Sequence, residues 1–252
     1  MLTSTAQIVY FGIDRTRLRC VQEVGGYSMK RLVPVLFLTA AGAALLCHAQ
    51  TNQVLSRNAV GYVRVTCPRG GLVLVRMDFE SLDGSDLHAE DVFGDQLPSG
   101  TSIYAFDPSI PGYVIDNYSF LGWSTNIVFQ RGKGFWIEVP DSAPSNEYQV
   151  YLMGEVPDRF TAPTSTVSVA SNLSLLGYMY PSDILWTNTE LAKNANMGDT
   201  LYHWDGTSYV ANTLGFLGWT DPNLVITPGM GFWFETTAAA TNWIETKPYT
   251  WP

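Results

Sequence analysis

The chain contains the same run of motifs twice, and this constrains its fold more than anything else in it. Gly100–Asp107 (GTSIYAFD) matches Gly198–Asp205 (GDTLYHWD) without a gap. Gly112-Tyr113-Val114 then faces Ser208-Tyr209-Val210, and Phe120-Leu121-Gly122-Trp123 recurs as Phe216-Leu217-Gly218-Trp219. Gly132-Lys133-Gly134-Phe135-Trp136-Ile137-Glu138 answers Gly229-Met230-Gly231-Phe232-Trp233-Phe234-Glu235. Self-similarity at a fixed spacing marks a unit that folds once and is used again.

The repeat extends upstream more loosely. Leu72–Phe79 (LVLVRMDF) aligns with Leu173–Tyr180 (LSLLGYMY), both short apolar runs of the kind that form buried strands. A short helix is expected after each. In the second copy Thr187 and Glu190 have capping-box spacing, and in the first Asp86 is placed to cap Leu87–Phe93. A closing strand such as Tyr148–Met153 completes the unit. Pro157 and Pro163 punctuate the joint, which divides the chain into copy one at 54–156 and copy two at 157–252. With 22 Gly and 14 Pro and only 15% charged residues, the expected class is mainly β. Two tandem homologous β-rich units are expected, each a sandwich or a partly open barrel with one short helix.

Residues before the repeat have another character. From Met29, Lys30 and Arg31 precede the apolar run Leu32–Leu46, and Cys47-His48-Ala49 places small residues at a signal-peptidase site. Residues 29–49 are therefore expected to be a secretory signal peptide and 1–28 the product of a start codon assigned too far upstream. The apolar run is shorter than the ~20 residues a bilayer span needs. An exported protein is expected, periplasmic, on the outer surface or extracellular, with no stable membrane insertion after cleavage. Removing residues 1–49 takes away five of the 14 Lys/Arg and two of the 23 Asp/Glu, which moves the net charge from −9 to −12. So acidic a chain is a poor partner for nucleic acid, whose affinity rests on cationic contacts. Cys67 alone remains of three cysteines, so no intrachain disulfide is expected.

The run SRNAVGYVRVT, the FGDQLPSGT turn, the two GxGFW motifs, YLMGEVP and the closing ETKPYTWP give the chain a likeness at the family level. It resembles a family of uncharacterised secreted bacterial proteins with a duplicated Gly-x-Gly-Phe-Trp β module. The resemblance covers nearly all of the chain after residue 49. It implies export and duplication, and it carries no assigned activity.

Aromatic residues are the strongest candidates for binding. Trp and Tyr stack on sugar rings, and nearby acids bond the hydroxyls; Trp123 and Trp219, which follow Gly-containing turns, are the candidate platforms, with Asp107 and Asp205 beside them. The competing reading puts the aromatics in small cores, where each buries ~150–250 Å². In GxGFWxE, Phe and Trp alternate across a strand, so one of each pair faces a core. The glycines are expected to supply positive φ or close backbone approach. Gly132-Lys133-Gly134 lacks P-loop spacing, which argues against nucleotide binding.

Catalytic material is thin. Glu138 and Glu235 recur one per copy, unlike the paired acids of a glycosidase. Two His and one Cys after residue 49 show no nucleophile or zinc spacing, and no GxSxG elbow is present. Asp83, Asp86 and Glu90 lie in an acidic segment that calcium could use, although it does not follow the EF-hand pattern. No other cofactor is implied. The expectation is an exported, non-enzymatic binding or structural protein for polysaccharide or a protein partner. The alternatives are an atypical carbohydrate-active enzyme or a self-assembling surface-layer subunit.

Overall fold

The computed structural model describes residues 6–8, 59–110, 112–157 and 163–249. Residues 29–49, and all of 1–28 save the strand β1 (Ala6–Ile8), lie outside the described residues, and with them the expected signal peptide and start site. The first copy then runs β2 (Ala59–Pro68), β3 (Leu72–Arg76), β4 (Leu87–His88), α1 (Ala89–Phe93) and β5 (Ser102–Asp107). It continues through β6 (Gly112–Ser119), β7 (Gly122–Trp123), β8 (Val128–Phe129), β9 (Gly134–Glu138) and β10 (Glu147–Val156). The second runs β11 (Thr164–Val169), β12 (Asn172–Gly177), β13 (Ile184–Leu185), a 3-10 turn at Trp186–Asn188, α2 (Glu190–Lys193) and β14 (Thr200–Trp204). Then come β15 (Tyr209–Gly215), β16 (Gly218–Trp219), β17 (Val225–Ile226), β18 (Gly231–Thr236) and β19 (Thr241–Thr246).

The protein is mainly β, and its two halves carry the same strand orders. A five-stranded antiparallel sheet β3-β9-β5-β6-β7 in the first half corresponds to β12-β18-β14-β15-β16 in the second. The ribbon β2–β10 corresponds to β11–β19, and the small pair β4–β8 to β13–β17. β1 adds to the free edge of β2 with Ala6 opposite Val63. Among the described residues no sheet closes into a barrel. Each ribbon instead packs across its five-stranded sheet, as in a sandwich.

Alternation along the strands shows where the cores lie. In the first half Val73, Val75, Ile103, Phe135 and Ile137 point inward and meet Val63, Val65, Cys67, Val150 and Leu152 of the ribbon. In the second, Leu176, Leu201, Phe232 and Phe234 meet Val167, Val169 and Trp243. The intervening residues of the sheets do not face water. Leu74 and Trp136 from one half, and Leu175 and Trp233 from the other, form a third buried cluster, ringed by Tyr104, Phe106, Leu173, Tyr202 and Trp204. A sheet covered on both faces needs apolar residues at successive positions. That is why LVLV and FWI are apolar throughout. Phe135 and Trp136 lie in different clusters, as the strand period requires.

The repeated Gly-x-Gly sits where the halves touch. Gly132 and Gly229 have φ of 81° and 80°, a left-handed conformation that favours glycine. Gly134 and Gly231 are close approaches. A Cβ at Gly231 would stand 2.6 Å from the Val75 carbonyl oxygen, and one at Gly134 would stand 3.0 Å from that of Leu176. Arg76 N donates to Gly229 O at 3.1 Å, and Gly177 N to Gly132 O at 3.0 Å. Arg76 aligns with Gly177, and Gly229 with Gly132, so the two bonds are equivalent under exchange of the halves. The halves are thus joined by a local two-fold relation, with each Gly-x-Gly reaching the other half's apolar strand.

Beside this joint lies a fully buried ion pair. Arg76 Nε stands 2.6 Å from Asp78 Oδ1, both side chains being inaccessible. Arg76 Nη2 donates to Tyr180 O at 3.1 Å, and the guanidinium lies 5.7 Å from the centre of the Tyr178 ring. Asp78 Oδ2 accepts from Gly229 N at 2.7 Å. An Arg and an Asp of the first half thus bond the backbone of the second.

Helix starts differ from expectation in both copies. α1 is capped at His88, whose N–H donates to Asp91 Oδ2 at 3.0 Å, rather than at Asp86. The cause is β4, which holds Leu87 and His88 extended against Phe129 and Val128. In α2 the cap is Thr189, whose hydroxyl accepts from Ala192 N at 3.1 Å, not Thr187. A 3-10 turn buries Trp186 first and delays the helix by two residues.

Candidate functional site

Trp123 and Trp219 are half-buried, each packed against the core of its own half. Trp123 lies 5.6 Å from Phe93 and 4.9 Å from Tyr118, centroid to centroid, and Trp219 lies 5.1 Å from Trp186. Asp107, partly buried, and Asp205, exposed, both hold turns. Asp107 Oδ1 accepts from Ser109 N at 2.8 Å. Asp205 Oδ1 accepts from Thr207 N and Ser208 N, both at 2.8 Å, and these bonds pull its carboxyl down to about 2. Asp107 pairs with Gly112 at one end of β6, while Trp123 pairs with Tyr118 near the other. About six residues at ~3.3 Å each, roughly 20 Å, separate them. In the first half, therefore, the fold does not bring Trp123 and Asp107 into one site.

The acidic segment is also occupied locally. Asp83 Oδ1 accepts from Ser81 Oγ at 2.5 Å and from Ser85 N at 3.0 Å, which holds its carboxyl well below the usual range. Glu90 N is bonded by Asn126 Oδ1 at 3.3 Å at the start of α1. Asp83, Asp86 and Glu90 do not form a cluster: no three His, Cys, Asp or Glu side chains converge on a metal position among the described residues.

An open aromatic groove lies elsewhere, on the second half where it borders the joint. Asn172, Leu173, Tyr202, Tyr209, Trp233 and Glu235 line an open groove of about 480 Å³. Register explains the set: Tyr202 lies opposite Trp233 across β14–β18, and Leu173 lies opposite Glu235 across β12–β18. Trp233 Nε1 donates to Tyr209 Oη at 3.0 Å, and Tyr202 Oη donates to Glu235 Oε2 at 2.7 Å. The acceptor carboxylate pushes the Tyr202 phenol up, so it stays protonated. Trp233 is buried, whereas Tyr209 is 46% exposed, with its ring 5.2 Å from that of Trp204 and 6.1 Å from that of Trp136. The groove combines a fixed apolar wall with a carboxylate and an amide at its rim.

The first half has the same residue types at equivalent positions except Gly71 in place of Asn172, with a different cover. Tyr104 Oη donates to Glu138 there too. Trp204, reaching over from the second half, lies 5.4 Å from Trp136 and donates its indole N–H to Leu72 O at 3.2 Å. Its counterpart Phe106 packs 4.8 Å from Trp233 and has no such donor. A second crevice, of about 420 Å³, runs between the halves, with His203, Asp205 and Arg64 at its edge and Val65, Val73, Val75 and Met230 within.

The cysteine and the two histidines among the described residues are each buried or engaged. Burial pushes the Cys67 thiol up to about 12, so it is an inert core residue. His88 Nδ1 is engaged with Asn126 O at 3.0 Å. His203 has its Nδ1 buried without a partner, and burial lowers its basicity. Sequence reasoning noted Glu235 and the aligned Tyr209 but did not group them with Tyr202 and Trp233. The signal was cross-strand register, which period-2 alternation suggests only once strand neighbours are known. Set against protein-family models, curated proteins and solved structures, the chain matches none of them.

Proposed function

We propose that this is an exported, non-enzymatic binding protein of the cell envelope or extracellular space, built from a duplicated GxGFW module, that takes a saccharide in the Tyr209 groove. The observation that carries the reading is the groove itself. A half-exposed tyrosine is oriented by a buried tryptophan, and the Glu235 carboxylate and Asn172 amide stand within the same lining. Sugar C–H faces pack on such rings, while carboxylate and amide accept from and donate to hydroxyls. Trp123 and Trp219 serve the cores of their halves in this reading. Acidity favours a neutral ligand over an anionic one.

Depletion of the protein from solution by insoluble neutral polysaccharides tests it, with Tyr209→Ala alongside. Tyr209 is half-exposed, so the variant should keep its fold while binding falls about tenfold, the scale of one lost aromatic contact. Equal depletion of both proteins would remove the groove from consideration. Release of reducing sugar by the wild type would replace binding with catalysis.

A further inference from the structure

The two ribbons differ at their outer edges. Among the described strands β11 pairs with β19 alone, and its other edge is guarded at Ser168. Lys133 reaches across the joint and donates from Nζ to Ser168 O at 2.7 Å and to Ser168 Oγ at 3.2 Å. A lysine over a strand edge is a common defence against pairing with another chain. In the second half the aligned residue is Met230, which lies beside Arg64, Val65 and Thr66 of β2 and has no ammonium to place there. The β2 edge is therefore open to pairing, and here it is paired. β1 lies antiparallel on it, with Ala6 opposite Val63, Gln7 opposite Tyr62 and Ile8 opposite Gly61.

The side chains at this seat show what it accepts. Gly61 and Val63 are both buried, and a Cβ at Gly61 would stand 2.8 Å from Phe79 and 2.9 Å from Val156, so that position stays bare. β1 answers with small Ala6 opposite Val63 and branched Ile8 opposite the bare Gly61. Directly opposed side chains of this kind decide whether a pairing is stable. β2 of a second copy carries the same small-x-branched order, Gly61-Tyr62-Val63. Turned about a two-fold axis at Tyr62, it sets its Gly61 opposite Val63 and its Val63 opposite Gly61. Its Tyr62 takes the place of Gln7. Val60 then faces Arg64 at either end, so no like charges are opposed.

Removal of residues 1–49 on export takes β1 away and leaves this edge bare. Resting on that export reading, we propose that the processed chain pairs β2 with β2 of a second copy, in the seat that β1 vacates. The pairing joins the two ribbons into one sheet in the order β10-β2-β2-β10. Main-chain hydrogen bonds supply the affinity, and the fit of Gly61 to Val63 fixes the register. Both copies use the same patch, so the contact closes as a dimer. Lys133 keeps the equivalent edge of the second half from extending it.

Sedimentation equilibrium on the protein as its producing cell processes it, from ~1 μM to ~1 mM, reads this directly when its intact mass is also measured. The wild type should climb from monomer to dimer mass and stop there. Val60→Lys sets a lysine opposite Arg64 of the other copy at both ends, whereas its neighbour on β10 in its own chain is Glu155. Val60 is 38% exposed, so the fold should survive while dissociation becomes about tenfold easier. Adding Arg64→Glu turns both repulsions into attractions and should restore wild-type association. A processed chain that stays monomeric, a dimer that Val60→Lys leaves intact, or a double variant as weak as the single one overturns the proposal. So does an intact mass that retains residues 6–8, because β1 would then fill the edge permanently. That last result removes export processing as well, whereas the first three leave it standing.

Discussion

At the joint, aligned positions in the two halves do opposite things. Arg76 and Asp78 of the first half correspond to Gly177 and Met179 of the second. The arginine fills space that its counterpart leaves empty: a Cβ at Gly177 would stand 2.3 Å from Arg76 Cδ and 2.5 Å from its Cβ. Two equal halves meeting on a local two-fold axis bring equivalent residues face to face, and only one of each such pair can be large. The difference shows that divergence was required at the axis, while strand order could stay common. It also places the buried charge in one half and its backbone partners, Tyr180 O and Gly229 N, in the other.

The comparison breaks most severely at Gly177→Arg. Two guanidinium chains would compete for one space, adding overpacking of about 1–3 kcal/mol to an unpaired buried charge worth about 3–5 kcal/mol. Together these rival the ~5–15 kcal/mol by which a domain is stable, so the variant should not fold. Exchanging the set (Arg76→Gly, Asp78→Met, Gly177→Arg, Met179→Asp) should restore a urea transition. Full recovery is not expected, because Gly132 N, which would have to play the part of Gly229 N, already donates to Met77 O at 3.2 Å. An exchange variant no better than Gly177→Arg would mean the halves are not interchangeable at the axis.

A smaller effect sharpens the same contrast. Asp78→Met gives the first half the second half's residue but leaves Arg76 buried without its carboxylate. The expected loss is about 3–5 kcal/mol in urea unfolding. Adding Arg76→Leu should recover most of that loss, since replacing a buried pair with apolar residues is often near neutral. If the double variant stays as unstable as the single one, the pair is tying the halves together through Tyr180 and Gly229 more than it is neutralising itself.

Much of this organisation was legible in the sequence, because repeated motifs carry strand order and period. The aligned GTSIYAFD and GDTLYHWD runs became β5 and β14, and the FW alternation divided Phe135 from Trp136. What stayed hidden depends on packing between units. Nothing in LVLV shows whether its second face meets solvent or another sheet. Likewise Phe-Leu-Gly-Trp left open whether its tryptophan is a surface platform or part of a core. Yet the tip of a two-residue turn is Phe-Leu, and Trp123 and Trp219 are already strand residues paired to Tyr118 and Leu214. Capping spacing misled for a similar reason, since β4 and the Trp186 turn take the residues that an isolated helix would have used.

The smallest effect concerns His203, which stands where the first half has Ala105. Its Nδ1 is buried without a partner, and desolvation lowers its pKa below the ordinary 6.5 despite the opposing pull of Asp205 and Asp221. A histidine held neutral in the fold binds its proton more readily once unfolded. Its contribution is therefore complete above pH 6.5, declines as pH drops below that value, and levels off below the folded-state pKa. The ring is only about half-buried, so solvent screening keeps the loss to no more than about 1 kcal/mol. His203→Ala, which copies the first half, should flatten the stability profile below pH 6.5 while leaving stability at pH 8 nearly unchanged. Urea midpoints at three pH values would show it. A profile as steep in the variant as in the wild type would mean that the ring finds a partner or water in the crevice, and that this divergence from Ala105 costs the fold nothing.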